Sequence, residues 1–566
     1  MTTNRRLVAV GVGFLALLAL VWARCVWLQV VHASSYRAMA QRQHWTSSSL
    51  IPQRGTIYDH TGRVLAMSVR VPSVFANARR VLAKAQTAHG LARVLGRDQG
   101  LISKRLNRDK AFVWLARQVE PEVTPRLQAF RDEGIGLIEE AQRLYPHGTL
   151  ASHVLGYVDI DQRGLEGLEL AFNRVLQGHS GWRSTVRDAR GEFLVGPWTV
   201  EADPQAGIDV VLTLDSVVQE ITEEALAWGV EKYHAKGGSI IVLDPSSGAV
   251  VAMATQPSFD ANHPSRAPAA SRRNRAITDL LEPGSVFKIV TAAALLEEGL
   301  VRPEERFFCE QGAYRTVGRY TLHDHHPHGW LTFHDVIKYS SNIGTAKAAQ
   351  RLAPEVFYRY IHAFGFGRPT GVELRGEIRG MIASPARWSK LSMYALPIGQ
   401  EVATTPLQLA VMTAVVANGG WRVQPHLVDR LQTSDGKVIR TYQPMRTRLL
   451  RAETTEALEE MLVDVVESGT GQLAKLEGLT VAGKTGTAQK IEPTGRYSHS
   501  RFAASFVGYG PVPVPRFVMV VTIDEPRPLY FGGVVSAPVF RRAVERLASY
   551  WNLRTPLGTQ TVVRLP

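Results

Sequence analysis

From Leu7 to Ala23 the chain carries no charged side chain, and after Arg24 the apolar run resumes from Cys25 to Val31. A helix needs about 20 apolar residues to cross a bilayer, and Leu7–Val31 is long enough. Arg24 stands near one end, where its stem can lie in the apolar phase while the guanidinium reaches the headgroups. Trp22 and Trp27 suit the same depth. Arg5 and Arg6 precede the run, so the positive-inside rule places residues 1–6 in the cytoplasm and the chain after residue 31 outside. The alternative is a signal peptide cleaved near Ala38-Met39-Ala40. Its apolar core is usually about 7–15 residues, and the longer run here favours an uncleaved anchor.

Beyond the anchor, residues 34–50 are polar, with a helix predicted from Tyr36 to Gln43 as part of a stalk. His60-Thr61-Gly62-Arg63 is a turn signal between extended stretches. Residues 80–140 read as helices with charged faces, and 145–205 as turns rich in Gly. Together 32–206 form one extended, mixed α/β module, and 207–566 a second domain. There, Val210–Leu214 reads as a strand, Ser216–Tyr233 as a helix, and Ser239–Leu243 with Ala249–Ala254 as a hairpin. Helical patterns dominate 285–465. Strands return at Leu479–Ala482, Ala503–Gly508 and Phe517–Ile523, and a last helix spans Val539–Trp551. Strands, a helical block, strands and a helix predict an α+β domain whose antiparallel sheet is sandwiched by helices.

Composition narrows the picture. A chain of 566 residues with 45% hydrophobic content is neither a small disulfide scaffold nor disordered along most of its length. Of its two cysteines, Cys25 falls in the anchor, so Cys309 has no exported thiol to pair with. The formal charge of +14 suggests an anionic partner. For an exported domain that points to an acidic membrane or glycan-lipid surface and away from nucleic acid. Only 13 of the 65 basic residues are Lys, so a lysine inside a motif is informative.

Glu282-Pro283-Gly284-Ser285-Val286-Phe287-Lys288 combines a loop signal with the start of an apolar helical run. Ser285 sits at the helix start, with Lys288 three residues on and on the same face. A serine hydroxyl becomes nucleophilic when a neighbouring base takes its proton. A lysine desolvated by packing has a lowered pKa and can serve as that base. The helix N-terminus adds N–H groups for a developing oxyanion. Taken alone, the pair equally describes a helix cap and a solvated lysine. Two further elements sharpen it: Ser340-Ser341-Asn342 in the helical block, and Lys484-Thr485-Gly486-Thr487 on a strand. Gly486 lets a substrate backbone approach closely. Lys484, Thr485 and Thr487 suit a carboxylate, Ser340 a proton relay, and Asn342 a substrate amide. In this order the three form the signature of penicillin-binding proteins and class A β-lactamases.

With these residues the chain resembles the class B penicillin-binding proteins, whose transpeptidase domain has a serine β-lactamase-like fold. Further matches are Arg54-Gly55-Thr56-Ile57-Tyr58-Asp59, Tyr145-Pro146, Gly164-Leu165-Glu166-Gly167-Leu168-Glu169, Thr405-Pro406-Leu407-Gln408 and Gly532-Gly533. Ser-Ser-Asn and the lack of C-terminal repeats resemble the division-type members; elongation-type relatives usually have Asp where Asn342 stands. Val286, where the family often has Thr, and the Tyr394–Gln400 wording depart from the pattern.

The resemblance implies a pedestal domain of dimerisation type over 32–206 and a transpeptidase domain over 207–566. It implies cross-linking of peptidoglycan stem peptides through an acyl-Ser285 intermediate during septum formation, and inhibition by β-lactams. Lys288 is then the base and Ser340 the relay to the departing D-alanine. The N–H groups of Ser285 and Thr487 form the oxyanion hole, and Lys484, Thr485 and Thr487 hold the terminal carboxylate. Implied partners are a SEDS-type glycan polymerase, other division membrane proteins, and the membrane through one helix. No cofactor is implied. A β-lactamase would need a Glu-x-x-x-Asn segment, yet Asn418 is the one Asn between Ile343 and Gly483, and position 414 is Ala. An elongation-type enzyme, or a division scaffold with dispensable catalysis, remains the rival reading. His323-Asp324-His325-His326-Pro327-His328 looks like a metal tract, but no spaced second ligand pair accompanies it. It reads as a solvated loop, and no metal is expected.

Overall fold

The computed structural model describes residues 2–36, 39, 45–187, 193–194, 200–317, 320–492 and 495–553. The chain divides into two compact units, Met1–Gln53 with Gln177–Gly207, and Arg54–Leu176 with Ile208–Pro566.

In the first unit, helix α1 (Thr2–Val26) continues as a wider π turn over Trp27–Val31. Its side chains are apolar all round and exposed, as expected of a helix whose solvent is lipid. Thr3–Val31 is long and apolar enough to cross a membrane. Arg24 lies over the Trp27 ring at 4.7 Å, pairing the two residues expected at the interface. The helix expected over Tyr36–Gln43 falls mostly outside the described residues. The rest of that stalk is extended: Trp45–Leu50 pairs antiparallel with Gly181–Arg187.

The second unit opens with strands β1 (Ile57–Tyr58) and β2 (Val64–Ala76), joined by the expected turn. Lys84–Leu95 and Gln99–Leu106 are helices, as expected. Ile135–Leu144 is not. It forms strand β3, antiparallel to β2 from Met67↔Leu144 to Ala76↔Ile135. Charged residues disguised it: Glu140 and Arg143 are both buried, on opposite faces of the strand, where they are neutralised by partners rather than by solvent. Arg117 holds Glu140 at 2.7 Å, and the Ser73 hydroxyl donates to it as well.

Arg143 belongs to a sealed network. Its Nε donates to Glu169 Oε1 at 2.6 Å, while Arg54 Nε donates to Glu169 Oε2 at 2.7 Å. Arg54 also reaches Asn173 Oδ1 (2.9 Å) and the Gln162 carbonyl (3.0 Å), and Arg143 the Gly55 carbonyl (2.8 Å). Glu169 has no exposed surface. A carboxylate buried so deeply needs such partners, and losing one guanidinium would strand the remaining charges. The matched motifs at 54–59 and 164–169 thus meet in one electrostatic knot. Beside it, β1 pairs parallel with strand β4 (Asp209–Leu212), Ile57 opposite Val210. One sheet therefore joins segments that are 150 residues apart in sequence.

Asp215 caps helix α2 (Ser216–Lys232) by accepting from the N–H groups of Val217 and Val218. Strands β5 (Gly237–Leu243) and β6 (Val250–Gln256) make the expected hairpin. Between them and the last strands run helices α3 (Lys288–Glu297), α4 (Phe333–Lys338), α5 (Asn342–Ala349), α6 (Pro406–Ala417) and α7 (Ala452–Ser468). Short strand pairs interrupt this block, such as Arg306–Phe308 with Trp330–Thr332. Helix α6 is buried on every face, and Thr405 with Gln408 closes a capping box at its start. Strand β7 (Ala482–Ile491) begins where the sequence reading ended its strand, and β8 (Tyr497–Gly510), β9 (Phe517–Asp524) and helix α8 (Gly532–Tyr550) follow. Helix α8 starts earlier than expected because Pro538 lies inside it. Proline supplies no N–H to the carbonyl four residues back, and that carbonyl, of Val534, accepts the Tyr233 hydroxyl instead at 2.9 Å.

The central sheet runs β6-β5-β9-β8-β7, antiparallel throughout. Alternate residues serve opposite layers: Ile240 and Val242 pack with α2 and α8, Ile241 and Leu243 with α3, α6 and α7. This is the helix–sheet–helix sandwich expected. It leaves β7, the strand of the Lys-Thr-Gly-Thr motif, at an edge.

Candidate active site

Three elements converge on the outer side of β7. Ser285 lies in the 3-10 turn Gly284–Phe287 that leads into α3, so its hydroxyl stands at the head of an apolar, fully packed helix. The turn is pressed against β7: a Cβ on Gly284 (φ +53°) would stand 2.8 Å from the Thr487 carbonyl oxygen. A Cβ on Gly486 would stand 2.4 Å from Ser505 Oγ and 2.7 Å from the Pro283 carbonyl oxygen. The close approach at Gly486 is therefore made by the chain itself, where the sequence reading reserved that room for substrate.

Lys288, the first residue of α3, has no exposed surface. Its Nζ donates to the Ser340 carbonyl (2.5 Å), Ser340 Oγ (3.2 Å) and Asn342 Oδ1 (2.8 Å). Among the described residues no hydrogen bond joins it to Ser285. Burial lowers its pKa to about 7, against the attraction of Asp324. Lys484 is equally sealed, and its Nζ donates to Ser340 Oγ at 2.9 Å. Burial, and then repulsion from Lys288, holds its pKa well below the usual lysine range.

Ser340 reaches this position through local backbone geometry. It follows α4 with φ +60°, a left-handed conformation that a non-glycine residue adopts only under tertiary constraint. That turn sends Ser340 between the two amines and starts α5 at Asn342. The Asn342 amide bridges Lys288 and the backbone: Nδ2 donates to the His323 carbonyl at 2.8 Å.

Along β7 the alternation splits the third motif. Lys484 turns to Ser340. Thr485 Oγ1 meets Thr470 Oγ1 at 2.9 Å, and Thr487 Oγ1 accepts the Gly532 N–H at the start of α8 (2.9 Å). The Thr487 hydroxyl proton is thereby left to point elsewhere. Past Thr487 the edge of β7 opens on a cavity of about 440 Å³, lined by Glu282, Met381, Ala403, Ala488, Gln489 and Lys490 among others. Burial raises the Glu282 carboxyl to about 7, although Tyr497 Oη and the Glu401 N–H both donate to it.

All eight sequence-selected residues thus fall on this turn and the head of α3, on the loop before α5 and its first residue, and on this edge strand. Sequence reasoning missed Asp324. Its carboxylate accepts the N–H groups of Asn342 and Ile343 and the Ser341 hydroxyl. No local pattern announces an acceptor 18 residues upstream of the helix it caps. The surrounding histidines suggested a metal tract and, without a second ligand pair, the segment read as a solvated loop; His323, His325 and His326 are indeed exposed.

Residues 238–545 match the penicillin-binding protein transpeptidase domain, and residues 49–212 the penicillin-binding protein dimerisation domain. The chain is 32% identical over 550 residues to the probable peptidoglycan D,D-transpeptidase PenA of Neisseria gonorrhoeae, covering 96% of this chain and 92% of that one. It is 31% identical over 532 residues to the peptidoglycan D,D-transpeptidase FtsI of Escherichia coli K12, covering 92% and 88%. Among solved structures it is similar to penicillin-binding protein 3 of Mycobacterium tuberculosis complexed with aztreonam. That likeness has a TM-score of 0.71 and 29% identity over 90% of this chain and 98% of the other. With both domains matched in order, and with its serine, lysines and edge strand arranged as described, the chain belongs to the class B penicillin-binding proteins, the peptidoglycan D,D-transpeptidases.

Proposed function

We propose that this D,D-transpeptidase cross-links septal peptidoglycan, with Ser285 as the acylated nucleophile. The observation that carries the assignment of roles is the pair of sealed amines, Lys288 and Lys484, sharing Ser340 Oγ beside the Ser285 turn. Two buried ammonium groups cannot both stay charged cheaply around one neutral oxygen. The cluster therefore favours an uncharged amine at neutral pH, which is what a general base for Ser285 requires. Lys288 takes the serine proton, and Ser340 passes it to the departing D-alanine. The N–H groups of Ser285 and Thr487 face the oxyanion. Lys484, Thr485 and Thr487 receive the terminal carboxylate of the stem peptide, or that of a β-lactam; the aztreonam complex of a relative supports the latter. Asn342 orients the substrate amide, and Gly486 lets the strand and the Ser285 turn close on it.

Residues 7–31 anchor the protein in the inner membrane, with residues 1–6 cytoplasmic and the rest periplasmic. The pedestal is residues 32–206 and the catalytic domain residues 207–566. The Ser-Ser-Asn motif and the likeness to FtsI support a division role, with a SEDS-type glycan polymerase and other division membrane proteins as partners. Mass spectrometry of the penicillin adduct tests the nucleophile: the adduct belongs on Ser285 and vanishes in Ser285→Ala, and any other location overturns the assignment. Depletion tests the division role, with filaments expected and round cells pointing to elongation. Rescue of depleted cells by Ser285→Ala would point to a scaffold.

A further inference from the structure

We propose that Asp324 is a positioning residue of the transpeptidase site, placing Lys288 through Asn342 and acting on it in parallel through its own charge. One of its oxygens accepts the N–H groups of Asn342 (2.5 Å) and Ile343 (3.0 Å), and the other accepts the Ser341 hydroxyl (2.6 Å). The carboxylate thus takes up the free donors at the head of α5, where the helix dipole also favours a negative charge. Ser341 Oγ, held in this way, accepts the Gly344 N–H at 2.9 Å and completes the cap.

The effect passes to Lys288 along one covalent and hydrogen-bonded path. With its backbone pinned by Asp324 and its Nδ2 on the His323 carbonyl, Asn342 has its Oδ1 left to face Lys288 Nζ, at 2.8 Å. The amide cannot be reversed without setting two N–H groups against each other and a carbonyl against a carbonyl. The same loop therefore anchors both ends of the asparagine.

Charge acts in parallel. Among the described residues, the titratable groups that act on Lys288 or feel its charge are Asp324, the Cys309 thiol, Lys484 and His325. Cys309 is buried, and desolvation raises its pKa, which keeps it a neutral thiol. His325 remains open to solvent, yet partial desolvation and then the nearby cations lower its pKa, so it too is neutral above mildly acidic pH. Asp324 is the remaining anion, and it opposes the desolvation of Lys288. Without it the amine would lose its proton at lower pH.

This inference rests on Lys288 being the base. The test is the rate constant of acylation of the full-length protein by fluorescent penicillin, measured against pH and normalised to folded protein. Asp324→Asn keeps an oxygen for the two N–H groups but removes the charge and the acceptor for Ser341. The rate constant is expected to fall tenfold or more at neutral pH, and the acid limb of the profile to move to lower pH. Ser341→Ala removes one of the three contacts and leaves the charge, so its limb stays in place. An unchanged Asp324→Asn profile overturns the proposal, as does a uniform loss with an unmoved limb. Should Asp324→Asn fold poorly, Asp324→Glu is the second variant: it retains the limb position while losing rate, and a displaced limb there overturns the proposal. If the unsubstituted protein shows no acid limb, the base assignment fails instead.

Discussion

Lys288 and Lys484 point at the same atom: their Nζ groups stand 3.2 and 2.9 Å from Ser340 Oγ. One oxygen thus faces two sealed amines, and the hydroxyl proton is free to point toward a third group. Lys288 retains the Ser340 carbonyl and Asn342 Oδ1 as acceptors, whereas among the described residues Lys484 has only a 3.5 Å contact to the Thr485 carbonyl besides.

Ser340→Ala should therefore cost activity chiefly through Lys484 and the proton path. Removing a positioned proton-transfer group typically costs about 10²–10⁴-fold, and a loss in that range is expected in transpeptidation rate. The left-handed backbone at 340 is strained for alanine as it is for serine, but the sealed Lys484 amine loses its close acceptor, so the melting temperature should fall as well. Stopped-flow acylation together with calorimetry checks both parts; a rate within about threefold of the unsubstituted protein would remove Ser340 from the proton path.

The pH dependence of acylation follows from Lys288. Its pKa is lowered to about 7 by burial. A base acts in its deprotonated form, so the rate should rise as pH increases through about 7 and level off above. An ordinary lysine would place that limb far higher, near 10.5. Acylation rates from pH 5 to pH 9 distinguish the two.

Gly486→Ala tests the contact between the Ser285 turn and β7. The added methyl would meet Ser505 Oγ at 2.4 Å, the Pro283 carbonyl at 2.7 Å and Val286 Cγ2 at 2.8 Å. Two of these belong to the loop and turn that carry Ser285, so relief requires the serine to move. Overpacking of this kind costs about 1–3 kcal/mol, and acylation should fall more than stability does. Thermal melts and penicillin labelling of the same sample separate the two effects.

What the sequence revealed, and what it hid, has a physical pattern. The residues proposed for catalysis were legible because nucleophilic chemistry restricts residue type and spacing together: Ser285 with Lys288, Ser340 with Asn342, Lys484 with Gly486. The central sheet was legible because both of its faces are buried, so β5, β6, β8 and β9 read as apolar runs. Strand β3 was not, because Glu140 and Arg143 are buried in ion pairs that only tertiary structure supplies. The start of α8 was hidden because Pro538 ordinarily ends a helix, and the compensating Tyr233 hydroxyl comes from α2's far end, about 300 residues away. Asp324 was hidden for the same reason. Two of its three partners are backbone N–H groups, which leave no trace in residue identity, and the third, the Ser341 hydroxyl, is 17 residues away.

Glu223 gives a prediction about stability. It lies on α2, and its Oε1 accepts Gln219 Nε2 at 2.7 Å and the Ala151 N–H at 2.8 Å. These contacts favour the anion, but burial outweighs them and raises the carboxyl to about 7. The unfolded chain ionises near 4.5, so the folded form binds the extra proton between that value and about 7. Stability is therefore full below pH 4.5 and is lost as pH rises through about 7, where the buried carboxylate must ionise. Glutamine at 223 offers the same carbonyl acceptor without a charge to bury. Glu223→Gln should leave stability nearly unchanged at pH 5 and raise it at pH 8. The gain should be on the order of 2 kcal/mol, short of the ~3 kcal/mol of the full shift because the residue keeps some solvent contact. Urea unfolding at the two pH values measures the difference directly. An equal effect at both would mean that Glu223 is already ionised at pH 5, and that the hydrogen bonds from Gln219 and Ala151 outweigh its burial.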